Sequence, residues 1–337
     1  MFASHTLITG GTFTQVNDYH LLRGVFLFRN SLRNSRINEI VEGSDILHQE
    51  TATARSQNSK ERFDSAISHP NARFPLPSSD TVVRQELPLK PEIFHGRDHF
   101  VEDIAQLLLQ EATSRVCILG PGGMGKTSVS IAVVELPVIK ERFPGENVIW
   151  VPCIEATSAT LLLEILYIQM QIPVEKKITL DNIILKLDTS KQPRLIMLDN
   201  FETPWNAPSG GTQKQVSDIL RKLARLSHVA ILVTMRGTYP PCDAIEWQPQ
   251  RIPPADEAAC RRIFHDINPS SKGDPDVDRL LASLGHMPFA VALMANLGKR
   301  GRSTAKELLD TWDTSGTDML CHKFTRKEHE PKHQPFG

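Results

Sequence analysis

The sequence predicts an α/β protein in which a parallel sheet is sandwiched between helices and followed by a small all-α domain. Three observations predict it. Short, continuously apolar runs recur at 115–119, 147–152, 194–199 and 229–234, as strands buried on both faces require. Segments with apolar residues at i, i+3, i+4 and i+7 separate those runs, the alternation expected of parallel strands joined by helical crossovers. From about 250 to 315 the strand-like runs stop and only helical patterns remain.

Composition sets outer bounds. The chain has 337 residues, 40% hydrophobic and 23% charged, enough for two ordinary domains or for one domain with long tails. A formal net charge of −1 gives no electrostatic reason to expect a nucleic-acid or membrane partner. No apolar run approaches the roughly 18 residues of a membrane helix, and the N-terminus lacks the layout of a signal peptide. The five cysteines form no CxxC pair and read as reduced thiols. A cytoplasmic protein is expected.

Taken in order, residues 1–78 read as a flexible leader. Ile8-Thr-Gly-Gly-Thr-Phe-Thr14 suggests a small β-turn unit, whereas 48–80 is rich in Ser, Thr, Asn, Gln and Pro. Such a stretch buries too little to offset its ordering entropy. A nucleotide-binding domain is expected over 87–248. It opens with a helix carrying Val101, Ile104, Ala105 and Leu108 at helical spacing, with Asp98 as a candidate N-cap. Helices are expected at 160–170, around Leu180 to Leu187 and around Val216 to Leu223. The all-α domain, 250–315, is expected to hold four helices. Pro288 sits in the first turn of the third, where its missing N–H costs nothing, and Gly298 is placed as that helix's cap. Residues 316–337 read as a disordered tail.

The chemistry centres on Gly120-Pro-Gly-Gly-Met-Gly-Lys-Thr127, which fills every fixed position of Gly-x4-Gly-Lys-Thr between an apolar strand and a helix. Glycines let backbone N–H groups close on a phosphate, and the positive helix end favours the anion. Lys126 is placed on the β- and γ-phosphates and Thr127 on Mg²⁺. The fold class is accordingly that of a P-loop NTPase. Asp199 ends a later apolar strand, the layout of an acid that shares the Mg²⁺ with Thr127. Asn200 stands where many phosphate-loop hydrolases place a second acid and cannot act as a base; Glu202 is close enough to be a candidate. Arg236 follows the next strand, where a guanidinium can meet a γ-phosphate. Ser271-Lys-Gly-Asp274 lacks the Asn of a guanine-reading motif and lies between helices, so adenine is the expected base.

Five motifs in order, Phe94-His-Gly-Arg97-Asp98, the phosphate loop, Leu195-Ile-Met-Leu-Asp199, Thr234-Met-Arg236 and Gly285-His-Met-Pro288-Phe-Ala290, resemble the STAND signal-transduction NTPases. Within that group the series is similar to the NB-ARC type of plant resistance proteins, apoptosome scaffolds and fungal NOD-like receptors. Leu-Asp-Asn-Phe-Glu-Thr-Pro-Trp and the Ile8-Thr-Gly-Gly leader are similar to the fungal members. The resemblance implies that Arg97 lies near the nucleotide, that Arg236 senses the γ-phosphate, and that Pro288 approaches the adenine and reads the bound nucleotide. It implies a switch in which ADP holds a closed monomer and ATP permits assembly, with itself or with full-length relatives, in innate-immunity or cell-death signalling.

The candidate nucleotide contacts are therefore Gly120, Gly122, Gly123, Met124, Gly125, Lys126, Thr127, Ser128, Arg97 and Pro288. The candidate catalytic or sensing residues are Asp199, Glu202 and Arg236, with Thr127 and Asp199 on Mg²⁺ and ATP or ADP as ligand. Family members continue into a winged helix and usually a repeat-based sensor, for which this sequence shows no motif and no repeat of about 34 residues. A nucleotide module without its sensor is expected, with at most slow hydrolysis. An active ATPase of another phosphate-loop class and a truncated fragment are the alternatives.

Overall fold

A computed structural model describes residues 5–9, 12–16, 84–111, 113–173, 178–207 and 211–316. The expected flexibility of 48–80 and, apart from Gly316, the expected tail at 316–337 lie outside these residues, as does Cys321. Strands β1 (His5–Thr9) and β2 (Thr12–Val16) pair antiparallel, in the segment read as a β-turn unit.

The main sheet has five strands: β3 (Arg115–Leu119), β4 (Val148–Pro152), β5 (Arg194–Asp199), β6 (Val229–Met235) and β7 (Gln248–Arg251). All pair in parallel, in the spatial order β4-β5-β6-β3-β7. The apolar runs form β3 to β6 as expected. The polar Gln-Pro-Gln-Arg of β7 carries no hydrophobic signal. It joins the sheet edge through its backbone, and Ile252 N–H continues the ladder to the Leu119 carbonyl at 2.9 Å.

Alternate residues of each central strand enter opposite cores. Val116, Ile118, Leu195, Met197, Ala230 and Leu232 point to one side, and Cys117, Leu119, Ile196, Leu198, Ile231 and Val233 to the other. On the first face lie α1 (Asp98–Gln110), α2 (Lys126–Glu135) and α3 (Pro137–Arg142). Helix α2 is apolar nearly all round and is buried accordingly. On the second face lie α4 (Ala159–Gln169), α5 (Leu180–Asp188) and α7 (Thr212–Ala224), with the short α6 (Glu202–Trp205) following β5. Ser158 and Thr179 cap α4 and α5 by accepting from Leu161 N and Asn182 N.

Among the described residues four α-helices follow β7: α8 (Glu257–Ile267), α9 (Val277–Ser283), α10 (Pro288–Gly301) and α11 (Ala305–Ser315). Asp256 caps α8, and Thr304 with Glu307 forms a capping box on α11. Their apolar faces share one continuous core with α1 and α2.

Two cap assignments are corrected. The N-cap of α1 is Arg97, with Asp98 the first helical residue, because Arg97 is held in place by its own side-chain contacts to neighbouring carbonyls. Gly298 lies inside α10, which runs on to Gly301 and is capped by Arg302 in the left-handed region. A Cβ on Gly298 would stand 3.0 Å from Asn268 Nδ2 and 3.2 Å from Leu308 Cδ1, so this glycine serves close packing.

Candidate functional site

Because the sheet is parallel, the loops after β3, β5 and β6 emerge at one edge, the usual place for a ligand in such folds. The loop after β3 turns into α2 through Gly125, its N-cap, at φ 88°. An L-residue there would be strained, and its absence leaves the amides of the first turn of α2 clear. Ser128 lies in that turn, half-buried. Lys126, 9% exposed, donates from Nζ to the carbonyls of Gly120 at 2.8 Å and Pro121 at 2.7 Å. Burial lowers its pKa to about 8, with Glu202 and Asp199 opposing the shift and Arg236 adding to it.

Thr127 Oγ donates to the Asp199 carboxylate, 2.8 Å from Oδ1 and 3.1 Å from Oδ2. Asp199 belongs to β5, which is not next to β3; β6 runs between them. The register that pairs Leu198 with Val233 sets Asp199 beside Thr234. The Thr234 hydroxyl donates to Asp199 Oδ1 and accepts from Asn200 N–H at 3.1 Å. Burial raises the Asp199 pKa, the two threonine hydroxyls lower it, the Glu202 charge raises it and Lys126 lowers it. Sequence reasoning named Thr234 only as the start of the motif that ends in Arg236 and gave it no role at the site. A β-branched residue in a strand run is ordinary, and only the strand order exposes its role.

Glu202 and Arg236 meet. Glu202 Oε1 lies 3.1 Å from Arg236 Nε, and its Oε2 accepts from the Arg236 backbone N–H at 3.1 Å. The guanidinium lies against the phosphate loop, where a Cβ on Gly122 would stand 3.0 Å from Arg236 Cζ. Behind this pair Cys153 is fully buried; desolvation, then the charges of Asp199 and Glu202, push its pKa well up. Cys117, Cys153, Cys242 and Cys260 are all free and buried.

The other side of the loop is held by Arg97 and the C-terminal helices. Arg97 is 5% exposed and donates to the Met124 carbonyl at 3.3 Å and the Pro254 carbonyl at 3.5 Å. Burial lowers its pKa, while Cys260 and Asp256 raise it. Pro288 opens α10, half-buried, between two residues that touch the loop. Phe289 N–H donates to the Gly123 carbonyl at 3.1 Å. Gly123 has φ +83°, and a Cβ on it would stand 3.1 Å from Met287 Sδ and 3.2 Å from Phe289 Cβ. Met287 was quoted only as part of the motif around Pro288, with no role of its own; an apolar residue before a helix carries no signal.

The residues present fit a magnesium nucleotide. The loop offers helix-start amides, a desolvated ammonium and a nearby guanidinium, which are donors for phosphate oxygens. Thr127 and Asp199 supply the hard oxygens that Mg²⁺ prefers. No group of three or more His, Cys, Asp or Glu able to hold a metal occurs among the described residues. A cation here would therefore complete its shell from phosphate oxygens and water. A cavity of about 640 Å³, lined by Glu111, Arg115, Arg225 and Trp247 among others, opens at the amino ends of the strands, away from these residues. No helix among the described residues is long and apolar enough to cross a membrane.

The chain is similar to the Walker-type ATPase PABY2304 of Pyrococcus abyssi, at 14% identity over 72% of this chain and 80% of that one, with TM-score 0.48. It is similar to the Aeropyrum pernix ORC1 protein, whose structure is a complex with DNA, at 16% identity over 72% and 75%, with TM-score 0.47. Drosophila ORC bound to DNA is similar at 17% identity over 72% and 70%, with TM-score 0.40. At these scores the likeness says nothing of what this chain binds. No curated protein matches the sequence. The profile of the family Novel STAND NTPase 1 matches residues 88–272, more than half of the chain and the whole stretch from the opening Gly96-Arg97 through Arg236. The chain belongs to the novel STAND NTPase 1 family, and its phosphate loop is that of a nucleotide-binding NTPase.

Proposed function

We propose that the chain is an ATP/ADP-binding signalling switch. Lys126 and the amides that open α2 hold the β- and γ-phosphates, Thr127 and Asp199 hold Mg²⁺, and Arg236 distinguishes ATP from ADP. The observation that carries the reading is the seam between loop and helices. Phe289 N–H bonds the Gly123 carbonyl at 3.1 Å, and the Met287 thioether packs on the same glycine. A change in the loop on exchange of ADP for ATP alters those contacts directly, which gives a ligand the differential interaction that a two-state switch needs. We take 87–248 as the nucleotide unit and 250–315 as the unit that responds, and Pro288, between those two contacts, as the nucleotide reader.

Hydrolysis is at most slow in this reading. Asn200 cannot take a proton, and both carboxylate oxygens of Glu202 are engaged by Arg236. An NB-ARC-like role in innate-immunity or cell-death signalling and nucleotide-controlled assembly follow from the motif resemblance, and a cytoplasmic setting from the cysteine usage and the N-terminal sequence. The test is titration of the full chain with magnesium ATP and ADP, for wild type and Arg236→Ala. The substitution is expected to weaken ATP more than ADP; equal losses would remove Arg236 as the γ-phosphate sensor.

A further inference from the structure

We infer that Glu202 sets the preference of this site between tri- and diphosphate by holding Arg236, as a specificity-determining residue rather than a general base. The inference rests on the nucleotide-switch reading. Four charges crowd the loop: Lys126 and Arg236 are cationic, Asp199 and Glu202 anionic, and each of the other three acts electrostatically on Lys126. Asp199 is committed to the hydroxyls of Thr127 and Thr234. Among the described residues the Glu202 carboxylate is bonded to Arg236, gripping it at both its side-chain Nε and its backbone N–H, each at 3.1 Å.

That double grip has two consequences. A carboxylate with both oxygens so engaged has fewer lone pairs free to take a proton from water. The guanidinium over Gly122 is also already partly neutralised, and an added phosphate at that end of the loop must compete with Glu202 for it. A diphosphate that does not reach Arg236 meets no such competition. Glu202 therefore weakens binding of the triphosphate relative to the diphosphate and biases the resting protein toward ADP. The pair is partly exposed, Arg236 at 30% and Glu202 at 16%, so the bias is modest and reversible, as a switch requires.

The test measures dissociation constants for magnesium ADP and a non-hydrolysable ATP analogue in the full chain, for wild type, Glu202→Gln, Glu202→Asp, Arg236→Ala and Glu202→Gln in the Arg236→Ala background. Glu202→Gln is isosteric, and it is expected to favour the analogue over ADP by about two- to five-fold relative to wild type. Glu202→Asp keeps the charge but is one methylene too short to make both contacts, and is expected to shift the ratio in the same direction. In the Arg236→Ala background, Glu202→Gln should leave the ratio where Arg236→Ala alone puts it.

An equal shift in both backgrounds would mean that Glu202 acts on the phosphate by direct repulsion, and the grip on Arg236 would be irrelevant. An unchanged ratio in Glu202→Gln would overturn the proposal, and loss of ATP turnover, measured alongside, would make Glu202 the base instead. Glu202→Asp behaving as wild type while Glu202→Gln does not would overturn it as well. Failure of wild type to bind either nucleotide would defeat the switch reading itself, whereas binding of both with a Glu202-independent ratio defeats only the role of Glu202.

Discussion

The Thr234 hydroxyl is the keystone between β5 and β6, and Thr234→Val tests it with almost no change of shape. Thr234 is 1% exposed, so no water can replace what its hydroxyl does. The donation to the Asp199 carboxylate is charge-assisted and contributes about 1.5–3 kcal/mol. The Asn200 N–H, 3.1 Å from the hydroxyl, loses its acceptor at a residue held at φ 56°, a further loss of about 1 kcal/mol. The apolar methyl gained returns about 0.8 kcal/mol. The net expectation is a destabilisation of about 2–3 kcal/mol, seen in urea unfolding as a lower midpoint at unchanged slope. Thr234→Ser keeps the hydroxyl and should lose less than half as much. Without this donor the Asp199 carboxyl also becomes harder to ionise, so magnesium should enhance ADP binding less in the valine variant than in wild type. A loss under about 0.5 kcal/mol would refute the claim that this hydroxyl organises the acid.

Two further expectations follow from the loop. Gly123→Ala places a Cβ at φ +83° against Met287 and Phe289 and should destabilise by about 1–3 kcal/mol, read as a melting temperature lower by about 3–10 °C; an unchanged melt would mean that the seam yields freely. Burial places Lys126 at about 8, below its value of 10.5 in an unfolded chain. Between those values the unfolded chain holds the extra proton, so rising pH relieves the burial penalty and stabilises the free protein. Nucleotide affinity moves the other way: flat below about pH 8, then falling by up to about tenfold per pH unit as binding comes to require proton uptake. A flat affinity profile through pH 9.5 would contradict the assignment of Lys126 to the phosphates.

What the sequence made legible was whatever breaks an apolar pattern. The glycine-rich loop, Asp199 and Arg236 each interrupt or end an apolar run, and the structure brings all three to one edge of the sheet. Arg97 was singled out through its motif, and its guanidinium donates to the Met124 carbonyl. Features that depend on strand order were hidden. Nothing local says that β6 separates β3 from β5, so nothing marked Thr234 as the partner of Asp199. Strand β7 was illegible because an edge strand of Gln, Pro and Arg is held by main-chain bonds, which have no side-chain signature. Gly298 was misread for a related reason: a glycine near a helix end signals a cap, but here the approach of Asn268 and Leu308 demands it.

The central claim, that this loop holds an adenine nucleotide, is tested most directly by mass spectrometry of the nucleotide released when the purified full-length protein is denatured, with Lys126→Ala prepared in parallel. The expected result is near-stoichiometric ADP from the wild type and none from the variant, which loses the charge held among the Gly120 and Pro121 carbonyls. No nucleotide from the wild type, together with no binding of added ADP or ATP, would contradict the claim. Equal retention by the two proteins would contradict the assignment of Lys126 to the phosphates.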